Sequence, residues 1–300
     1  MQDEAAEVYE RAIRRSQAHL PKGYTGQITW SEVDNRSFLR LAHGTLLGLM
    51  HLRYQAKGGK AAMALAQQML AWCLMDNIGV RFLLGDIALL QADHRAALQE
   101  YLKGAPNAPA HGYQATLIAY LEGDHVAACT YLRRGIAANP YMAEGLTGRT
   151  VLTEHLYWHA SKVHGPEWAI DHLESAACDW TTEEIDFVDW VFNAEPVLKE
   201  RAAWMALNEE LTCSWDAVER APYAQKSMAL SDRITDTLSK KYGAQGQEPV
   251  GRRDLALGPR GIQAAFKPIL ALTQAKASAS AKTLPAASLA ASIGAPSTGH

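Results

Sequence analysis

Small residues recur at a near-constant interval through and just before the stretch Met69–Pro140, and nothing else in the chain constrains its fold as much. Three segments share one pattern: Gly59-Lys60-Ala61-Ala62-Met63-Ala64, Ala92-Asp93-His94-Arg95-Ala96-Ala97 and Gly123-Asp124-His125-Val126-Ala127-Ala128. Ala64 to Ala97 is 33 residues and Ala97 to Ala128 is 31, and seven residues beyond each alanine stands Ala71, Gly104 or Gly135. Each segment closes on a break, at Asp76-Asn77, Pro109 and Asn139-Pro140. A period in this range marks stacked helical hairpins. At a helix crossing, only Ala or Gly lets the axes come near enough to exclude water. The spacing predicts an all-α chain of antiparallel helix pairs with these notches turned inward.

Leu84-Gly85, Ala97 and Pro109 are spaced as in a tetratricopeptide repeat, which this region resembles. Gly85 stands where that family keeps a small residue late in its first helix, and Pro109 where it closes the repeat. The run Asp76-Asn77-Ile78-Gly79-Val80-Arg81-Phe82 resembles a narrower subgroup reading Asn-Pro-x-Asp-Asn-Gln-Gly-x-Arg-Tyr. Cys73-Leu74-Met75 replaces its Asn-Pro-x, and Ile78 replaces its Gln. The resemblance is clearest over residues 59–140 and implies a right-handed α-solenoid across 1–242. In such a solenoid the first helix of each pair lines a concave groove that takes a protein or peptide segment. On this resemblance Arg81, Asp86, Tyr113, Gln114 and Tyr120 face the groove. Members that grip a C-terminal carboxylate use a basic-and-asparagine clamp. Asp86 and Leu117 stand where its asparagines belong, so a receptor for chaperone tails is not expected.

The formal charge of −3 hides an asymmetry. Residues 1–242 carry 23 Lys/Arg against 30 Asp/Glu, a net of −7, whereas residues 243–300 carry six against two. An acidic body is a poor match for nucleic acid, because duplex binding rests on neutralising phosphates. Cys73, Cys129, Cys178 and Cys213 lie singly, without metal-ligand spacing, and read as reduced residues of a cytoplasmic protein. The acidic start Met1-Gln2-Asp3-Glu4 has no apolar signal region, and no apolar run reaches the length of a membrane span.

Taken in order, Asp3–Leu20, Asn35–Lys57 and Lys60–Leu74 have helical periodicity, and Asn77–Gln91 is apolar almost all round, as befits the most enclosed helix of an array. Asp93 is placed to cap the next helix, and Ala110–Glu122 with Asp124–Ala138 makes the clearest hairpin. Met142–His164 reads as one long helix and Glu167–Cys178 as its partner. Thr181-Thr182-Glu183-Glu184 has the form of a capping box and opens a helix to about Asn193. Glu195–Leu211 follows, and then a helical zone, Trp215–Tyr242, interrupted near Pro222. Trp168, Trp180, Trp190, Trp204 and Trp215 read as core filling, with the lining of a ligand groove as the sharper alternative. From Gly243 the composition turns to Ala, Ser, Pro and Gly, which predicts a disordered tail with one helix-prone island at Ile262–Gln274.

Chemistry has few footholds. His155 and His159 stand one turn apart, followed by His164 and His172, but Glu154 precedes the pair rather than lying inside it as in helical zinc proteases. Gly243-Ala244-Gln245-Gly246 has neither a strand before it nor Lys-Ser/Thr after it, so it is no phosphate loop. Glu183–Asp189 lies at a capped helix start, where negative charge favours the dipole. The expectation is a non-catalytic, cytoplasmic adaptor that binds a protein segment, with no cofactor, metal, nucleic-acid or membrane partner. Two rivals stand beside it: a metal protein or enzyme using the His155–His172 region, and a secretion-linked chaperone or regulator acting through residues 243–300.

Overall fold

The computed structural model describes residues 2–22, 24–51, 58–148, 162–176, 180–213 and 217–243. His155, His159, Cys178, Trp215, the island Ile262–Gln274 and the tail beyond Gly243 lie outside them. The regular elements of the described residues are all helical, with no strand among them. None of these helices is long and apolar enough to cross a membrane.

The N-terminal part is built from α1 (Gln2–Gln17), α2 (Val33–His51) and α3 (Gly58–Trp72), with α2 packed on both of the others. Ile13, Leu39, Leu46, Leu65, Met69 and Trp72 share one core, and the Phe38 and Trp72 rings meet edge to face at 5.1 Å. Here the repeat register needs correction. Ala64 and Ala71, expected to be notches, are exposed, while Ala62 and Ala66 are fully buried. With α3 beginning at Gly58, positions 62, 65, 66, 69 and 72 form its inward stripe, and 64 and 71 fall on the far side. Ala62 therefore corresponds to Ala97 and Ala128, all three wholly buried, and Met69 fills the place that Gly104 and Gly135 hold later.

The apolar run after Asp76 is not one helix. Asp76 at φ 45° and Gly79 at φ 81° turn the chain into a 3-10 segment, Val80–Leu83, from which α4 (Leu84–Leu89) continues. The buried Asp76 carboxylate sets this turn by accepting from the Val80 N–H at 2.7 Å and the Arg81 N–H at 2.9 Å. Several apolar residues here, Ile78, Phe82 and Leu84 among them, are only half-buried. More enclosed is α6 (Pro109–Leu121), in which Pro109 through Ala119 are all buried.

α4 packs on α5 (His94–Gly104), α5 on α6, and α6 on α7 (His125–Ala138). Asp93 caps α5, as its position predicts, by accepting from the Ala96 N–H at 3.0 Å, and Asp124 caps α7 in the same way from the Ala127 N–H at 2.9 Å. Close approach explains the glycines. A Cβ on Gly85 would stand 2.5 Å from the Tyr101 ring, and one on Gly112 would stand 3.1 Å from Gly135 Cα across the α6–α7 crossing.

Beyond Asn139 come α8 (Pro140–Thr147), α9 (Pro166–Ala176), α10 (Thr182–Phe192), α11 (Glu195–Cys213), α12 (Ala217–Asp232) and α13 (Asp236–Gly243). The long helix expected over Met142–His164 stops at Thr147, where Gly148 adopts φ 60° and its N–H closes onto Glu144 and Gly145 carbonyls. The capping box at Thr181 is present, with the Thr181 N–H donating to Glu184 Oε2 at 2.5 Å. Pro222 lies inside α12 rather than at a break, and the interruption falls at Arg233–Thr235.

Candidate functional site

A cavity of about 550 Å³ opens where the C-terminal half of α7 meets α11 and α12. Its floor is made of small residues: Gly112 on α6, then Gly135, Ala137 and Ala138 on α7. These let the α6–α7 backbone recede, because any side chain at Gly135 would drive into Tyr113, whose ring lies 3.0 Å from where a Cβ would be. Trp204 and Met205 from α11 and Met228 from α12 form the opposite wall, with Ile234 at one end. Pro106, Pro109 and Pro140 also line the cavity.

Three basic side chains enter this apolar frame: Arg134, His164 and Arg201. Arg134 is exposed and makes one long hydrogen bond, from Nη2 to the Ile234 carbonyl at 3.4 Å. Arg201 lies over the Phe192 ring at 4.6 Å and approaches the buried Glu144 carboxylate at 4.0 Å. Burial pushes the Glu144 carboxyl above its ordinary range, and Arg201 pulls against that shift. His164 Nδ1 is paired with the Ala138 carbonyl at 2.8 Å, which makes Nδ1 the protonated nitrogen in the neutral ring. Tyr223 closes the side by donating to Asn208 Oδ1 at 3.3 Å. Such a frame holds apolar groups and orients an anionic one.

The five residues expected in a common groove do not share one surface. Tyr113 is 1% exposed, with its hydroxyl donating to the Asn139 carbonyl at 2.7 Å, and Gln114 is buried beside it. Both pack inward because α6 is enclosed on all sides, where the hairpin pattern alone would leave one face open. Asp86 is half-buried and accepts from the Tyr101 hydroxyl at 2.5 Å, so it braces α4 against α5. Arg81 is exposed, 3.7 Å from Asp76 and 5.0 Å above the Phe82 ring. Tyr120 is half-buried between His125 and Phe187, with its hydroxyl 3.4 Å from Glu183. Burial first, and Glu183 next, push that hydroxyl above the ordinary tyrosine range.

The described histidines do not assemble into a metal centre. No group of three or more His, Cys, Asp or Glu suited to a metal ion occurs among the described residues. His172 stacks on Trp168 at 5.5 Å, and burial with the nearby His111 lowers it to about 4. Of the tryptophans, Trp180 is core and Trp204 lines the cavity. Sequence reasoning does not single out Arg134, Arg201, Met205 or Met228. The available signal is the Gly135 notch, which marks where α7 is thinnest, but no periodicity says which later helix lies across from it.

No protein-family model, curated protein or solved structure matches this chain.

Proposed function

We propose that this chain is a non-catalytic interaction protein of the cytoplasm, built as a right-handed solenoid of tetratricopeptide-like helix pairs, which holds a segment of a partner protein. Support for the architecture comes from Ala97 and Ala128, fully buried at matching places in α5 and α7, and from Gly85 and Gly135 nested against Tyr101 and Tyr113. The free, buried Cys73 and Cys129 suit a reducing compartment. The single observation that carries the function is the open cavity between α7 and α11–α12, with its apolar walls and basic side chains. It lies on the face of a second helix, α7, and not on the first-helix face that the resemblance implies.

Cross-linking mass spectrometry on the full chain purified with its bound proteins tests this reading. Partner cross-links are expected from positions within 131–140, 201–208 and 223–234. A partner reproducibly linked through none of these, or no partner at all, opposes it.

A further inference from the structure

We infer that the cavity selects a partner segment of one chemistry, an amphipathic peptide whose apolar side chains fill the space above Gly135 and whose carboxylates meet Arg134 and Arg201. The inference rests on the proposed function and adds the character of the partner. Its first support is charge. The body is acidic, net −7 over residues 1–242, yet among the described residues lining the cavity there is no Asp or Glu. Of the carboxylates behind the lining, Glu144 reaches Arg201 only at 4.0 Å, and Asp124 and Asp236 lie near Tyr131.

The adjacent arginines Arg133 and Arg134 sharpen the contrast. Arg133 is wholly buried and its guanidinium is shared among Glu200, the Thr235 carbonyl and Ser239. Arg134, one residue on, stands exposed at the cavity with one long bond to a carbonyl. A guanidinium carries five donors in a fixed fork that matches a carboxylate. Arg134 therefore offers most of its fork to whatever enters.

The second support is shape. Met228 lines the cavity and is also 65% exposed, so the apolar wall runs out onto the protein surface. A small ligand is usually enclosed over most of its area. A wall that continues past the mouth suits a chain that enters and leaves. Met205 and Met228, unbranched and adaptable, fit apolar side chains of differing shape.

Fluorescence polarisation on the full chain tests the inference with labelled peptides of about twelve residues, some three helical turns. One peptide combines Leu and Phe with Glu, and the other has Lys at every Glu. The Glu peptide should bind at least about tenfold tighter, a difference of about 1.4 kcal/mol. Arg134→Ala with Arg201→Ala should remove that preference, and Arg134→Lys with Arg201→Lys should restore part of it. Circular dichroism melts establish that each variant is folded; should Arg201→Ala melt early, Arg134→Ala alone carries the comparison, since Arg134 is a surface residue. Equal binding of the two peptides, or a preference unchanged in the Ala variants, overturns the inference. Decanoate binding without any binding of the Glu peptide overturns it too, in favour of a small amphiphile. A partner cross-linked at the cavity but carrying a basic segment sinks this inference alone, whereas a partner held elsewhere sinks the proposed function as well.

Discussion

Tyr113 and Asn139, 26 residues apart, are joined by a buried hydrogen bond in which the tyrosine hydroxyl donates to the asparagine carbonyl at 2.7 Å. Asn139 is itself a corner piece. Its Oδ1 accepts from the Met142 N–H at 3.3 Å to start α8, and its Nδ2 donates to the Val163 and Gly165 carbonyls at 2.9 and 3.2 Å. One side chain from α6 thus locks the α7–α8 corner to the segment leading into α9. Burial raises the Tyr113 hydroxyl well above its ordinary value, so it stays a donor throughout the working pH range.

Tyr113→Phe should therefore behave as a stability mutation. Leaving a buried carbonyl short of its donor costs about 1–3 kcal/mol. Urea unfolding of the variant should show that loss, while affinity for any cavity-bound peptide changes by less than about twofold. A selective loss of binding with stability intact would restore Tyr113 to the partner-facing role implied by the resemblance.

Gly85→Ala tests the nesting of α4 on α5. The new methyl would stand 2.5 Å from the Tyr101 ring, and that ring is pinned through its hydroxyl to Asp86. Overpacking of this kind costs about 1–3 kcal/mol. A thermal melt unchanged from wild type would show that the two helices can part freely.

How much of the fold is legible in the sequence differs from element to element. The caps Asp93 and Asp124 and the α6–α7 hairpin are legible because each depends on residues within one turn or one loop. The notches at Gly104 and Gly135 are legible because small residues at a repeat spacing coincide with close helix approaches, whereas Gly85 is legible only through the family resemblance. Ala64 and Ala71 miss the buried face by two positions, since alanines crowd that helix and composition cannot fix which side turns inward. The cavity is hidden for a different reason. Arg134 and Trp204 lie far apart in sequence and meet only through the packing of α11 and α12, which no periodicity encodes.

A left-handed residue precedes each of the caps Asp93 and Asp124, and the two positions are filled differently. Gly123 holds φ 81° before Asp124, whereas Ala92 holds φ 57° before Asp93. An L-residue with a Cβ pays roughly 1–2 kcal/mol in that region. Ala92→Gly should raise stability by up to about 1 kcal/mol after allowing for the looser unfolded chain. Gly123→Ala should lower it, even though a Cβ there meets nothing within 4 Å. Opposite signs from the two substitutions are the result to look for in paired denaturation curves.

His172 gives the chain a pH dependence with a definite sign. Burial, with help from His111, lowers it from 6.5 to about 4, so the unfolded chain binds the proton more readily. His111 is lowered as well, by burial, against a pull from the Phe82 carbonyl, and shifts stability in the same direction. The contribution is complete above pH 6.5 and is lost progressively as pH falls toward 4. For His172 the whole step is of order 3 kcal/mol. His172→Phe, which keeps a ring on Trp168, should flatten the stability curve between those values relative to wild type. Parallel curves for the two proteins would remove His172 as the cause.

Arg133 and Glu200 hold α7 to α11, and through Arg133 the short helix α13 is held as well. The guanidinium is fully buried and bonds Glu200 through two nitrogens, with Nη1 also donating to the Thr235 carbonyl and Ser239 Oγ at 2.8 Å. Thr130 adds bonds to Asp236 and Ser239 at 2.8 and 2.7 Å, so α13 is fastened by side chains from one turn of α7. Removing one partner of a buried ion pair costs about 3–5 kcal/mol, because the other charge is left without compensation. Glu200→Ala should fall in that range, since it leaves the wholly buried guanidinium without a counter-charge. Arg133→Ala should cost as much, because it strands a carboxylate only 21% exposed and also removes the bonds to Thr235 and Ser239. In a double-mutant cycle the two losses should combine to well below their sum. Additive losses would mean that the arginine works through α13 alone, and α13 should then be the segment that releases first in hydrogen exchange.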